Sequence, residues 1–525
     1  MRTRISRLPL SLGAVLAVAG LSGAQSGIDD RTPAEKLLEE PQNLAFVGVD
    51  VYTVDAKSGK GKRIEGVTVL VEDGKFSKIG KDIDVPSSFR KVEGGVLAPG
   101  LVFAGTTAGL PRSRSPAPRM RIPIRFRGRF RFPRRSRSST ATFSPTRKVS
   151  SLVKPEDEAF AKLLRGGVTT LGIRPTKAGI SGQGAVFRTA GHTSEDMLIK
   201  DEALLYVGMQ SDTKTKEMLS GNFEKARKLI EERAAAKKKA EEAKKAAAKK
   251  PDAKKPAPPA KGKSPKKDSK KVPPKKEPPK KEPPKKEPPK KEPPKKEPAK
   301  QKPKEGSAKK GDKAVKPTAA KKKKEDPKIA VLARAVERKL PVLLRISGAR
   351  DLLHALDALE ESEFPLVVAH FFSRGATDTL DRVLPALEKR KASVILPVEL
   401  AFEPQTRYYK NVVGEIMSAG IRTILVPCSN RGIRSGRVQE IQSELESLWF
   451  RIGELYRSGI PREKLFAALT YEPARLLGVE KRLGSIAKGK DANFLHFTRD
   501  PFSPASRLKR VYLEGRAVEA EKTRN

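Results

Sequence analysis

The sequence predicts an α/β protein in which parallel βα units occupy the middle of the chain and a β domain is built from both termini. In the middle, apolar strand-like runs alternate with helical patterns, which is typical of a parallel sheet. Near each end, short β-rich runs alternate with turn signals. Two strongly basic stretches interrupt this pattern, so not all of the 525 residues are expected to fold.

The β runs near the amino terminus cover residues 43–100 and include the turn Asp73-Gly74 between two strand-like segments. Residues 481–520 show the same pattern, with β-rich runs at residues 492–497 and 510–518. Since both segments flank the α/β region, we expect them to pair in one composite β-sandwich domain.

Residues 101–233 and 327–480, in the middle of the chain, are expected to form the α/β domain. Its helices include residues 351–361, 375–389, 438–457 and 462–477. The predicted strands are apolar runs of five or six residues, and they are Val168–Ile173, Val342–Ile346, Leu366–His370, Ser393–Pro397 and residues 423–426.

Most of the net charge of +47 lies in the two basic stretches. Residues 237–326 contain 36 Lys and 13 Asp or Glu, and residues 112–148 contain 13 Lys or Arg and no acid, which together account for +36. Residues 234–326, with tandem Lys-Lys-Glu-Pro-Pro units, are expected to be a disordered arm. Residues 112–148 resemble a β strand or an aromatic-interleaved RNA contact, but their unneutralised arginines favour disorder. The sequence contains no specific nucleic-acid motif.

Residues 1–24 have the pattern of an export signal. Arg2, Arg4 and Arg7 precede an apolar run over residues 8–21, and Ser22-Gly23-Ala24 forms a small-residue cleavage site. The single cysteine, Cys428, excludes an intramolecular disulfide. We therefore expect an exported protein, periplasmic or secreted, that is stabilised by its core.

Several motifs resemble those of the amidohydrolase superfamily, in its imidazolonepropionase-like exported branch. Residues 96–101 (VLAPGL) and 103–109 (FAGTTAG) resemble the entry to that family's barrel, and residues 167–170 (GVTT) resemble its second strand. Residues 181–186 resemble a further segment of exported members, and residues 468–478, 484–493 and 500–502 are similar to the carboxyl-terminal signature. The resemblance implies an amidohydrolase-type (β/α)8 TIM-like barrel beside the composite β domain.

The resemblance also implies one or two divalent metals that activate water for attack on an amide, a cyclic amide or an ester. The family's first ligands form a His-x-His at the end of strand one, where this chain has Gly105-Thr106-Thr107. Arg345 lies near the strand-five position and Ser429 or Asn430 near the strand-eight aspartate. Only His370 matches a ligand position, at strand six, so we expect a degenerate site without a cofactor; zinc would be the cofactor of an active enzyme.

The other histidines are expected to have ordinary surface or packing roles, because His354 lies on a predicted helix, His192 in a turn and His496 in the β domain. At the vacated site, Arg174, Arg345, Ser347 and Ser429 could bind an anionic small molecule. Alternatively, the arginines pair with Glu399 or other acids and fill space. A further alternative is acyl transfer, with Cys428 as nucleophile, His370 as base and Glu399 as orienting carboxylate.

Three functions remain open at this point. The first is a catalytically degenerate barrel with a binding or scaffolding role. The second is an active hydrolase of non-peptide C–N bonds, and the third is a tether that binds an anionic polymer or membrane surface through the arm, which could equally be a passive spacer. The sequence leaves the oligomeric state open.

Overall fold

The computed structural model describes residues 31–55, 59–111, 124–126, 129–131, 141–210, 212–248, 325–360, 364–370, 380–402, 406–429, 433 and 437–519. The chain divides into two units, Met1–Ala235 with Glu325–Asn525, and Ala236–Lys324. Of the second unit, residues 236–248 are described, and they are the end of a helix. The predicted signal, residues 1–24, lies outside the described residues. No helix in the described ranges is both long and apolar enough to cross a membrane.

Strands from both termini form one eight-stranded sheet, in the order β21-β20-β19-β5-β1-β2-β3 with β4 beside β1. The strand β19 pairs antiparallel with β5 and so joins the two ends of the chain. The sheet is composite, as predicted; its form as a sandwich stays a prediction. Its strands are β1 Leu44–Val54, β2 Gly61–Glu72, β3 Lys75–Gly80, β4 Arg90–Glu93, β5 Val96–Pro99, β19 Phe494–Phe497, β20 Leu508–Leu513 and β21 Arg516–Glu519.

A second sheet forms a nearly closed barrel in the order β18-β15-β14-β13-β12-β11-β10-β6, with β18 lying close to β6. Its eight strands are β6 Leu101–Thr106, β10 Val168–Ile173, β11 Gly179–Arg188, β12 Leu198–Gly208, β13 Val342–Ile346, β14 Leu366–His370, β15 Ser393–Pro397 and β18 Arg422–Val426. Outside this sheet, the short strands β16 Ala401–Phe402 and β17 Tyr409–Lys410 pair antiparallel with each other. The five strands predicted in the middle of the chain are confirmed within one residue.

One barrel strand differs from the expected (β/α)8 pattern. The strand β11 runs antiparallel to both of its neighbours, β10 and β12, while the other seven strands run in one direction. The reason is the short connections: β10 reaches β11 through five residues, and such a link cannot return the chain for a parallel pairing.

The helices surround the barrel, and several are shorter than predicted. They are α1 Glu158–Arg165, α2 Ser194–Met197, α3 Thr213–Ala248, α4 Pro327–Val336, α5 Ala349–Ala358, α6 Leu384–Lys389, α7 Val412–Ser418, α8 Val438–Glu446, α9 Leu448–Arg457, α10 Arg462–Leu469 and α11 Tyr471–Leu477. The predicted helix at residues 438–457 breaks at Ser447, and the one at 462–477 breaks at Thr470. Helices α10 and α11 pack against β6 and β18, where the barrel closes.

The expectation of disorder was wrong for parts of both basic stretches. Helix α3 continues to Ala248, because residues 234–248 contain only Ala, Lys and Glu, which favour helix, and the first proline follows at Pro251. In the other stretch, β7 Ile124–Phe126 pairs with β8 Arg129–Arg131, and β9 Thr142–Phe143 pairs with β11. Residues 112–123, 127–128, 132–140 and 249–324 of the two stretches lie outside the described residues.

Two hydrophobic clusters hold the fold. The larger fills the barrel and the space under its helices, and includes Phe103, Leu343 and Val394, each 0% exposed. The smaller lies on the composite sheet, where Phe494 stacks on Tyr512 with ring centroids 4.4 Å apart and Phe46 meets Phe494 edge to face at 5.2 Å. These clusters fix the strand ends that carry the candidate site.

Candidate functional site

The residues expected at the vacated metal site follow the carboxyl ends of the barrel strands. Arg174 directly follows β10, Ser347 directly follows β13, and Cys428 and Ser429 lie two and three residues after β18. Because these strands are parallel, their carboxyl ends meet at one mouth of the barrel. The fold therefore brings these residues to the same end.

Arg174 is buried in this mouth, with 3% of its surface exposed. Its Nε donates to the carbonyl oxygen of Gly105 at 2.8 Å, and its Nη1 donates to that of Pro175 at 3.0 Å. The guanidinium carbon lies 4.8 Å from the ring centroid of Tyr206, a buried residue of β12. Two carbonyls and an aromatic face thus hold the positive charge in place beside strand β6.

Gly105 lies at the position predicted to correspond to the family's first metal ligand. Its φ of +87° lies in the left-handed region, which disfavours any residue with a side chain. A β-carbon placed on Gly105 would lie 3.8 Å from Cδ and 3.9 Å from Nε of Arg174. A β-carbon at this position would therefore contact both Arg174 and Leu343.

The next positions on β6 are also buried. Thr106 is 0% exposed and its Oγ1 accepts a hydrogen bond from the amide of Ala108 at 3.2 Å. Thr107, at the second vacated position, is 5% exposed. Neither hydroxyl replaces imidazole as a ligand for zinc.

Arg345 faces the interior of the barrel near its mouth. Leu343 Cδ1 lies 3.8 Å from the β-carbon position of Gly105, and side chains two residues apart on a strand share a face. Arg345 is half-buried, and among the residues described around the barrel none forms an ion pair with it. Ser347 follows, and its amide donates to Asp351 Oδ2 at 2.8 Å, which anchors the start of α5.

Beyond β18, Glu444 of α8 holds the strand-eight loop. The Ser429 hydroxyl donates to Glu444 Oε1 at 2.6 Å, and the Ser429 amide donates to Oε2 of the same carboxylate. Cys428 is 2% exposed, and burial, with a smaller effect from the negative charge of Glu444, raises the pKa of its thiol. This favours the neutral thiol over the thiolate that acyl transfer requires.

Other predicted residues contribute less to the geometry. The backbone of His370 ends β14, but its side chain lies outside the described part, as do Asn430 and Arg431. The amide of Glu399 donates to the carbonyl of Pro397 at 3.1 Å. Of the remaining histidines, His354 lies on α5 and His192 is exposed near Glu35, whereas His496 is buried in β19 and hydrogen-bonded to the Gly94 carbonyl at 3.0 Å.

The described side chains at the mouth do not fit a divalent metal. Gly105 and Thr107 supply no imidazole, and Arg174 brings a fixed positive charge to the same place. A dication about 4 Å from a guanidinium is repelled by about 8 kcal/mol at an effective dielectric constant of about 20. Within the described ranges, no group of three or more His, Cys, Asp or Glu side chains is arranged to hold a metal ion.

Sequence reasoning missed three residues of this site. Tyr206 supports Arg174, Asp351 anchors Ser347, and Glu444 anchors Ser429. Tyr206 lies on β12, which the hydrophobic pattern did not identify as a strand. Asp351 and Glu444 lie on helices with ordinary polar faces, so only their three-dimensional contacts distinguish them.

Comparisons with known proteins fit this architecture. Residues 427–518 match the model of the amidohydrolase family. An amidohydrolase from Thermotoga maritima MSB8 is similar in structure, with a TM-score of 0.58 and 20% identity over 90% of this chain and 99% of the other. No curated protein sequence matches the chain.

Two further solved structures give weaker matches. Dihydropyrimidinase from Brevibacillus agri NCHU1002 has a TM-score of 0.43 and 11% identity, over 92% of this chain and 96% of its own. E. coli guanine deaminase has a TM-score of 0.40 and 12% identity, over 91% and 100%. Neither score bears on the fold. The family match is confined to residues 427–518, and the Thermotoga protein, at 20% identity, is similar in fold.

Proposed function

We propose that this protein is a catalytically degenerate amidohydrolase homologue that binds an anionic small molecule, without a catalytic metal, in the mouth of its barrel. The observation that carries the proposal is the position of Arg174. Its side chain borders the space beside residue 105, because Cδ and Nε lie 3.8 and 3.9 Å from the position of a β-carbon there, and its Nε donates to the carbonyl of Gly105.

A buried arginine at this position shares one property with a bound metal ion, which is its positive charge. It supplies a positive charge that attracts anions, but it cannot lower the pKa of a bound water as a divalent metal does. The chemistry available at the mouth is therefore binding of a carboxylate or a similar anion.

Arg345 is the residue proposed to contact the ligand directly. It lies on the interior face of β13 and is half-buried, so its guanidinium is available for a bidentate hydrogen bond with a carboxylate. Arg174 is more deeply buried and already donates to two carbonyls, so it contributes charge and shape more than direct contact.

The test is ligand-induced thermal stabilisation of the full chain with acetate and succinate as probes. A bound ligand raises the melting temperature, and Arg345→Gln should weaken binding by about tenfold or more, since one charge-assisted hydrogen bond contributes about 1.5–3 kcal/mol. Arg457→Gln, at an exposed position on α9, is the matched control and should bind as the wild type does. Equal binding by both variants would refute the role of Arg345.

The alternative is an active amidohydrolase that acts on non-peptide C–N bonds of a small amide, and it is favoured by the family match at residues 427–518. It requires metal ligands from positions that the structure leaves undescribed, such as the side chain of His370 or Asn430. Zinc-dependent hydrolysis of a small cyclic amide that disappears in His370→Ala would establish this alternative.

We also propose that the protein is exported and that residues 237–326 contribute an electrostatic contact with an anionic surface polymer or membrane. The proposal depends on the export pattern of residues 1–24 and on the 36 lysines of the arm. Sedimentation with anionic vesicles should fall steeply as salt rises and should be lost when residues 237–326 are deleted. Unchanged binding after the deletion would rule out the arm as a tether.

A further inference from the structure

The opposite end of the barrel contains a cavity of about 600 Å³. It is lined by residues at the amino-terminal ends of the barrel strands, including Pro341 before β13, Pro365 before β14, and Ser393 and Arg422 at the starts of β15 and β18. The residues of the proposed mouth site follow the carboxyl ends of the same strands. The cavity is therefore separate from that site, and its volume falls in the range of small-molecule sites.

The walls of this cavity are strongly basic. Two acids, Asp201 and Glu202, face six basic side chains, namely Lys148, Lys200, Arg334, Lys339, Arg422 and Arg475. Glu337 and Glu472 form ion pairs with Lys339 and Arg422. When these two carboxylates are counted as well, the six positive charges still exceed the four negative charges by two. Such an excess in a concave surface attracts anions.

The two acids of the wall are already engaged. Lys148 Nζ lies 3.0 Å from Asp201 Oδ2 and 2.6 Å from Glu202 Oε1, and Arg334 Nη1 lies 2.5 Å from Glu202 Oε2. Hydrogen bonds from Lys148 and Arg334 lower the pKa of Glu202. These ion pairs build one side of the cavity and leave the cations of the other side to face its interior.

The opposite side is held by helix α11. Lys200 Nζ donates to the carbonyls of Leu477 and Gly478 at 2.9 and 3.3 Å, which fixes its ammonium at the end of the helix. Gly478 makes this approach possible, because a β-carbon there would lie 2.3 Å from Lys200 Nζ. Arg422 Nε lies 3.3 Å from Glu472 Oε2, and the side chain of Arg422 is 41% exposed.

Two cations at the rim have exposed side chains. Arg475 is exposed on the last turn of α11, and Lys339, whose side chain is 68% exposed, contacts Glu337 at 2.6 Å. With Lys200 and Arg422 they surround the cavity with donors on flexible stems. Apolar groups of Pro341, Val367 and Leu476 complete the lining.

We propose that this cavity, at the amino-terminal end of the barrel, is a second ligand site that binds a small polyanion with at least two adjacent negative charges. Guanidinium and ammonium groups together recognise phosphate and carboxylate oxygens. Pyrophosphate and citrate are the two probes, because they carry the same kind of charge from a phosphate source and a carboxylate source. Whichever probe binds more tightly identifies the source.

The experiment measures thermal stabilisation of the full chain as each probe is titrated, because the midpoint reports binding that is coupled to folding. The double variant Arg475→Gln/Lys339→Gln removes two rim charges, and of the ion pairs described above it breaks only the exposed pair between Lys339 and Glu337. It should raise the half-saturating concentration by about tenfold or more. Arg345→Gln, at the mouth, and Arg457→Gln, on an exposed helix face, should each leave it within about twofold of the wild type.

Lys200→Gln provides an independent variant on the opposite wall, and its folding is checked by circular dichroism before titration. Loss of binding in Arg475→Gln/Lys339→Gln, with retention in Arg345→Gln, supports the site. No stabilisation by either probe overturns it, as does stabilisation that is equal in all variants. Loss in Arg345→Gln alone would assign the anion to the mouth and also overturn the second site.

Discussion

Asp500 connects the composite sheet to the barrel helices, and its removal should lower the stability of the whole fold. Its Oδ2 accepts hydrogen bonds from the Tyr52 hydroxyl at 2.9 Å, from Arg63 Nη1 at 3.2 Å and from Arg462 Nη1 at 2.8 Å. Tyr52 and Arg63 belong to β1 and β2, and Arg462 begins α10. The change Asp500→Asn removes the negative charge that holds two guanidinium groups together.

The expected loss is about 3 kcal/mol. Each hydrogen bond to a charged group contributes about 1.5–3 kcal/mol when buried, but the side chains of Asp500, Arg63 and Arg462 are 20%, 29% and 32% exposed, so solvent screens part of each interaction. We therefore count about 1 kcal/mol for each of the three bonds. Tyr52→Phe removes one neutral donor and should cost about 1 kcal/mol.

Urea denaturation followed by circular dichroism measures these changes as shifts in the free energy of unfolding. The control is Asp357→Asn, which breaks the exposed ion pair with Lys216 and should produce no measurable change. A loss below about 1 kcal/mol for Asp500→Asn would show that the network contributes no more than an ordinary surface ion pair, and would refute the argument that it joins the sheet to the barrel.

Three further predictions concern single residues. Burial lowers the pKa of His496 below its ordinary 6.5, Lys509 and Arg510 lower it further by a smaller amount, and the hydrogen bond to Gly94 opposes this, so the folded state favours the neutral ring. The contribution of His496 to the free energy of unfolding is therefore complete above pH 6.5 and should decrease as the pH falls below that value. Urea midpoints measured against pH should fall less steeply in His496→Gln than in the wild type. Gly105→Ala should cost about 1–2 kcal/mol because φ is +87° there, and an unchanged melting temperature would contradict that backbone conformation. Cys428 should react with a thiol reagent at pH 8 at least about tenfold more slowly in the native than in the denatured protein, and rapid native labelling would contradict its burial and raised pKa.

The parallel strands of the barrel could be predicted from sequence because each is a short run of buried apolar residues. Val342–Ile346 and Ser393–Pro397 were placed within one residue for this reason. The strands β11 and β12 were not predicted from the sequence, because Gly179, Gly182 and Gly184 interrupt the apolar pattern of β11 and β12 begins with polar residues. Their pairing depends on contacts between segments, which single-sequence periodicity does not report.

The candidate site could be predicted in its residue types but not in its contacts. The absence of imidazole at Gly105 and Thr107 is visible in the sequence, and so is the presence of Arg174. That Arg174 points back to the carbonyl of Gly105 and lies on Tyr206 depends on barrel closure, which brings residues 69 positions apart into hydrogen-bonding distance. The anchoring of Ser429 by Glu444 depends in the same way on how α8 packs.

We propose that a fixed arginine takes the place of the metal. The most direct measurement is the metal content of the purified full chain after incubation with zinc and buffer exchange, by inductively coupled plasma mass spectrometry. We expect less than about one tenth of a metal ion per chain, because a dication beside Arg174 is repelled by about 8 kcal/mol. A stoichiometric zinc ion that is lost in His370→Ala would contradict the account and identify an active metal site.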